Sequence, residues 1–300
     1  MSEKVQIKEV GPRDGLQNES SFVNTEDKIS WINQLTESGL SYIEISSFVH
    51  PKWVPALSDA KEVAKGIKRK KEVTYAALVP NMKGLEGALE SNIDEISIFM
   101  SASETHNRKN INKSIDETFT VLQEVVKEGE RAGKSVRGYL STVFGCPYEG
   151  MVDTEQVLKV AHTLFDMGIE ELSLGDTIGV ANPKQVQDVL DHLVVKLPKD
   201  KLAMHFHDTR GTALANVLAS LQAGITTFDS ACGGLGGCPY APGASGNVST
   251  EDLLYMLHGM GLETGVEEDK LLLASLFIEE KLGKNLPSRV LQARKGEESH

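Results

Sequence analysis

Residues 170–208 read EELSLGDTIGVANPKQVQDVLDHLVVKLPKDKLAMHFHD. Two strand-like runs, EELSL (170–174) and LAMHF (202–206), enclose a segment that Asn182 and Pro183 open as a helix. Asn serves as an N-cap there, and Pro fits the first helical position because its missing N–H has no partner in that turn anyway. A strand, a helix and a second strand in this order predict two parallel neighbours joined by a crossover.

The same unit repeats outward in both directions. Further strand-like runs are VQIKEV (5–10), YIEISS (42–47), VTYAALV (73–79), IDEISIF (93–99), VRGYLSTVF (136–144) and TTFDS (226–230), which makes eight. Between them, Ser114 with Glu117 forms a capping-box pattern ahead of Ile115, Phe119, Leu122 and Val126, whose spacing places them on one helix face. Gly133 falls where that helix would end. Asp153 with Gln156 opens another helix, carrying Val157, Ala161 and Leu164 and closing at Gly168. Eight such units without a composition break predict an α/β fold, a closed (β/α)8 TIM barrel with extra C-terminal helices. The competing arrangement is an open doubly wound sheet. Residues 1–300 are expected to form one catalytic domain, with the barrel over about 5–262 and a helical extension over about 263–300, its helices (266–285) packed outside.

A chain of 300 residues with 40% hydrophobic and 25% charged content matches an ordinary water-soluble enzyme. Its net charge of −12 argues against general attraction to nucleic acid or anionic membrane, so an anionic substrate would need a local positive site. No apolar run is long enough to span a bilayer, and MSEKVQIKEV resembles no targeting leader. Cys146, Cys232 and Cys238 are an odd and sparse set, which fits a reducing compartment; a cytoplasmic location is expected.

In such a barrel, chemistry gathers where strands end and loops to the helices begin. Arg13 and Asp14 follow the first strand in GPRDGLQNE (11–19), Glu44 interrupts the apolar second strand, and Asp176 follows the sixth. The seventh ends in His205 and His207, which share one face because strand side chains alternate. Two imidazoles side by side at the barrel mouth can bind one divalent cation; as isolated residues they would instead be hydrogen-bonded surface histidines. Asp14, the two histidines and an Asn oxygen suit a hard ion, Mg²⁺ or Mn²⁺. A Cys₂His₂ zinc site with Cys232 and Cys238 is the alternative, against which the wide cysteine spacing speaks.

The last strand leads into ACGGLGGCPYAPGASGN (231–247), with six glycines and two prolines. It has no phosphate-loop ending, and many backbone states are open to it, which suits a mobile cover. Cys238 is either a small packed hydrophobe or a reactive thiol on that loop. The segment NRKNINK (107–113) supplies Arg108, Lys109 and Lys113, read either as a solvated basic loop or as a receptor for phosphate.

Taken together, GPRDGLQNE, SFVHPKWVP (47–55), SLGDTIGV (173–180), HFHDT (205–209) and GGLGGCPYAPGASGN (233–247) resemble the 3-hydroxy-3-methylglutaryl-CoA lyase family, and more broadly the metal-dependent barrel superfamily of Claisen-type lyases and synthases. The resemblance implies cleavage of 3-hydroxy-3-methylglutaryl-CoA to acetoacetate and acetyl-CoA, as in leucine degradation or ketone-body formation. It implies Asp14, His205, His207 and Asn247 as metal ligands, with Asn247 resting mainly on the family. Arg13 would stand beside the developing enolate, with Glu44 and Asp176 as polar neighbours. Cys238 would be the catalytic thiol, Asp14 or His205 a candidate base, and Lys109 a contact for the acyl-CoA substrate. A homodimer is implied as well. A related lyase or synthase acting on another hydroxy-acyl-CoA, and a non-catalytic metal-binding scaffold, are the alternatives. Animal members carry a cysteine near the C-terminus that this chain lacks, so thiol regulation between subunits is not expected.

Overall fold

In the computed structural model, the structure describes residues 4–19, 21–238 and 241–298, with the side chains of 238, 241–245 and 298 left out. Eight strands, β1 (Gln6–Glu9), β2 (Tyr42–Ser47), β3 (Thr74–Leu78), β4 (Glu95–Ser101), β5 (Ser135–Ser141), β6 (Glu171–Asp176), β7 (Leu202–Phe206) and β8 (Thr227–Ser230), pair in parallel and in sequence order. Pairing of β1 with β8, from Gln6 opposite Thr227 to Glu9 opposite Ser230, closes the cylinder. The open doubly wound sheet is thereby excluded.

The alternation along each strand decides what faces where. Ile43, Ile45, Ile96, Ile98, Leu172, Leu174, Met204 and Phe206 belong to the buried apolar cluster shared with the surrounding helices. The opposite phase is polar, and its side chains meet across the cylinder. Lys8 of β1 lies 3.0 Å from Glu171 of β6, and Arg137 of β5 lies 2.6 Å from Asp229 of β8. Contacts between strands that are not neighbours can form only through the interior, so these ion pairs lie inside the barrel. An unpaired charge there would cost several kcal/mol, so each must meet an opposite one.

Helix ends follow the sequence cues closely. Ser114 Oγ accepts from Glu117 N at 3.0 Å while Ser114 N donates to Glu117 Oε2 at 2.7 Å, a complete capping box. Asn182 caps Pro183–Leu193 through Gln185 N. Asp153 caps Thr154–Asp166, but it accepts from Glu155 N, so Gln156 closes no capping box there. Gly133 and Gly168 take the left-handed backbone that ends a helix, at φ 71° and 107°.

Beyond the barrel, Glu268–Leu282 packs on Thr25–Glu37, and Arg289–Glu298 packs on Thr250–Gly259. Two sequence expectations are corrected. The basic segment 107–113 is mostly the end of helix Glu104–Ile111, its Asn107 buried and bonded to Ser101 N and Thr118, so it is not a loop. The glycine-rich stretch is not all loop either: β9 (Gly237–Cys238) and β10 (Ala241–Ser245) pair antiparallel within it. Among the described residues no helix is long and apolar enough to cross a membrane.

Candidate metal and active site

Directly after β1 the chain makes a tight helical turn, Gly11–Gly15, in which Val10 O accepts from Arg13 N, Asp14 N and Gly15 N. That turn throws Arg13 and Asp14 over the barrel mouth. Arg13 is only 6% exposed. Its Nε donates to Glu44 Oε2 at 2.5 Å and its Nη1 to Asp14 Oδ1 at 2.5 Å. Tyr139 OH donates to the same Glu44 oxygen at 3.1 Å, and the guanidinium lies over the Tyr139 ring, 5.1 Å from its centroid. The carboxylate inside the apolar second strand is therefore the clamp of the arginine. Burial works against the Arg13 charge, yet Glu44 and Asp14 hold its pKa above the ordinary value.

Asp14 meets the histidines of β7. One ligand atom from each of Asp14, His205 and His207 can be chosen so that all lie within 4.8 Å of one another. His207 Nε2 stands 3.9 Å from Asp14 Oδ2, beyond hydrogen-bond reach, and His207 Nδ1 has no partner among the described residues. Burial, helped by the neighbouring His205, pushes His207 down to about 4, so the ring is neutral near pH 7 with a lone pair to offer. Burial would raise Asp14, but Arg13 and then the two histidines bring it down to about 2. It remains a carboxylate throughout the neutral range.

Asn247 arrives from the far end of the glycine-rich stretch. It is held beside β7 by Asp208 N to Gly246 O (2.7 Å) and Val248 N to Phe206 O (3.0 Å). Its Nδ2 donates to Asp14 Oδ2 at 2.8 Å and to Leu235 O at 3.0 Å, which leaves a buried Oδ1 without a partner among the described residues. A buried amide oxygen left bare is costly unless something else binds it. Two glycines make the approach possible: a Cβ on Gly246 would lie 2.2 Å from Gly236 backbone, and one on Gly236 would lie 2.8 Å from Asn247 Nδ2.

A carboxylate, two imidazoles and a bare amide oxygen form a donor set of mixed O and N character. It fits one divalent cation with positions left open. Asp176 stands at the same rim, 1% exposed, but both its oxygens accept from backbone, Val180 N at 3.0 Å and Ala181 N at 2.8 Å. Burial raises its pKa. Its visible work is to fold the loop after β6. Cys238 has its backbone in β9, but its side chain lies outside the described residues. The zinc alternative fails on Cys232, which is fully buried and turned to Ser275 Oγ at 3.1 Å, apart from the histidines. Lys109 is exposed on its helix with Nζ 4.2 Å from the Tyr148 ring centroid, while Arg108 is paired with Glu104 at 2.7 Å.

The family model described as HMGL-like matches residues 4–278. The chain belongs to the HMGL-like family. It is 64% identical over 292 residues to hydroxymethylglutaryl-CoA lyase YngG of Bacillus subtilis, covering 97% of this chain and 98% of that protein. The crystal structure of the B. subtilis HMG-CoA lyase superposes with a TM-score of 0.97 at 63% identity, covering 98% of each chain. An Acinetobacter baumannii HMG-CoA lyase in complex with coenzyme A and 3-methylmalate superposes with a TM-score of 0.92 at 42% identity, covering 96% of this chain and 94% of that one. The family resemblance and the closed barrel read from the sequence are both borne out.

Several supports of the site escaped the sequence reading. Asp229 faces His205 Nδ1 at 3.3 Å, Tyr139 braces Glu44, and Glu9 and Glu251 grip the base of the glycine-rich stretch from below. A signal was available for Asp229 and Tyr139: both lie on the strand phase that turns away from the apolar helices.

Proposed function

We propose that the chain is a metal-dependent carbon–carbon lyase that cleaves 3-hydroxy-3-methylglutaryl-CoA to acetoacetate and acetyl-CoA by a retro-Claisen reaction. The observation that carries the mechanism is the convergence of Asp14, His205 and His207 beside an arginine already clamped by Glu44. The substrate follows from the lyases to which the chain is so similar along nearly its whole length.

Asp14, His205, His207 and Asn247 would hold the cation, Mg²⁺ or Mn²⁺. Bound there, it would lower the pKa of the C3 hydroxyl and fix its orientation. Arg13 places a permanent positive charge where the enolate oxygen of acetyl-CoA develops, and Glu44 with Tyr139 keeps the guanidinium from swinging away. Asp14, held at about 2, suits a ligand and not a proton acceptor, so the C3 hydroxyl proton passes to His205 or to solvent water as the C2–C3 bond breaks. Cys238, on the hairpin that follows β8, delivers a proton to the enolate carbon once the substrate is covered. Asp176 shapes the rim by holding the loop after β6, and Lys109 receives a phosphate of the CoA. The protein works as one catalytic domain, as a homodimer, in the cytoplasm.

Incubation with 3-hydroxy-3-methylglutaryl-CoA tests the reading. Acetoacetate should form with Mg²⁺ or Mn²⁺ and cease after chelation, returning when the ion is restored. Undiminished turnover in chelator-stripped protein would refute it.

A further inference from the structure

We infer that Asp229 is a positioning residue for the reaction: locked by Arg137 and Ser173, it sets the tautomer and ring orientation of His205. The inference rests on the metal reading above. Asp229 sits on β8 directly beside His205 of β7, the two Cα atoms being register partners. Its side chain is fully buried. Oδ1 accepts from Arg137 Nη2 at 2.6 Å and Oδ2 from Ser173 Oγ at 2.7 Å. Two strands on its far side therefore fix the carboxylate, and Oδ2 is left facing His205 Nδ1 at 3.3 Å.

Arg137 is in turn fixed. It is wholly buried, its Nε donates to Glu171 Oε1 at 2.5 Å, and Glu171 also meets Lys8 Nζ at 3.0 Å. The row Lys8, Glu171, Arg137, Asp229 thus runs across the barrel interior and ends against a histidine of the mouth. A carboxylate that cannot turn away favours the His205 tautomer with its proton on Nδ1. Nε2 then keeps its lone pair for the side where Asp14 and His207 stand. Groups that hold the second nitrogen of a ligating histidine typically change metal affinity ~10–100-fold when replaced. Neither ring completes a hydrogen bond at Nδ1, but among the described residues only His205 has a carboxylate beside that nitrogen, Asp229 Oδ2 at 3.3 Å.

Asp229→Asn keeps the shape but brings an N–H group into the space between Arg137 and His205, where only an acceptor fits. Mn²⁺ binding is to be followed by electron paramagnetic resonance in wild type and in D229N, with thermal unfolding alongside. The expected result is a ~10–100-fold weaker Mn²⁺ affinity in folded D229N, larger than any change in a remote control such as S114A. A D229N protein that binds Mn²⁺ within about twofold of wild type overturns the inference, even if its unfolding temperature falls. If D229N does not fold, nitrogen-15 spectra of magnesium-loaded wild type decide: a proton on His205 Nδ1 supports the inference, and a proton on Nε2 overturns it. Failure of wild type itself to bind Mn²⁺ would instead refute the metal site, and this inference with it.

Discussion

Glu9 lies just before the short turn that carries Asp14, and both are carboxylates packed into the protein, yet they are treated in opposite ways. Asp14 lies against a guanidinium and two imidazoles, and its pKa falls to about 2. Glu9 is surrounded by neutral donors alone: Gly11 N at 2.8 Å, Cys232 N at 2.9 Å and Thr250 Oγ1 at 2.7 Å. Burial pushes it up to about 7. Glu251, a second carboxylate under the same loop, accepts from Gly233 N, Ser249 Oγ and Ser275 Oγ and is raised as well. The donors around Glu9 lower its pKa without offsetting its burial, whereas the cation and imidazoles around Asp14 more than offset theirs. The turn therefore separates an anchor for the loop base from a ligand for an ion.

The sharpest way to break this comparison is to remove the charge at the mouth. Asp14→Asn should abolish Mn²⁺ binding and leave turnover at the level of chelator-treated wild type, while Glu9→Gln should bind Mn²⁺ as wild type does. Titration of both variants with Mn²⁺ and an acetoacetate assay would check it; equal affinity in D14N would show that the carboxylate is no ligand. Cys238→Ala probes the other partner of the mouth, the hairpin. Loss of a positioned proton donor is worth ~10²–10⁴ in kcat, with Mn²⁺ affinity unchanged, and full activity in C238A would remove the thiol from the mechanism. Arg13→Met comes next, at ~10²–10³ in kcat. With the guanidinium gone, His207 and Asp14 should both take up protons at higher pH, because Arg13 holds both down, and the acid limb of Mn²⁺ binding should move to higher pH. An unmoved limb would mean that Arg13 sets the charge of neither ligand.

How much of this was open to reading from residues depends on whether the cue was local. Strands announced themselves by alternation, and YIEISS and LAMHF came out with the boundaries Tyr42–Ser47 and Leu202–Phe206. Caps were equally local, as Ser114 and Asn182 show. His205 and His207 share a face for a reason intrinsic to any strand, and the barrel rule then brought Asp14 to them. What stayed hidden depends on closure. Lys8, Arg137, Glu171 and Asp229 lie far apart in the chain and become a row only once β8 pairs with β1. Glu9 and Glu251 carry no local sign of their task. Their common task appears only where the turn Cys232–Gly234 and Ser275 of helix Glu268–Leu282 arrive between them.

The smallest effect expected is on stability, and its sign separates the two carboxylates. Glu9 has its pKa raised on folding, from 4.5 to about 7. Between those values the folded protein binds a proton that the unfolded chain has released, so stability from this group is full below about pH 4.5 and is lost as pH rises through about 7. A shift of this size bounds the loss at about 3 kcal/mol. Asp14 runs the other way: its pKa is depressed, so its contribution is present above pH 4 and is lost only as pH falls towards 2. Glu9→Gln supplies a permanently neutral side chain of the same shape, which can still accept from Cys232 N and Gly11 N. The variant should therefore lose the decline between pH 5 and 8 and equal or exceed wild type at pH 8, while the two proteins converge near pH 5. Unfolding temperatures across that range would measure it. Parallel curves for the two proteins would mean that Glu9 is already ionised when folded, and that the contrast with Asp14 lies in position alone and not in charge.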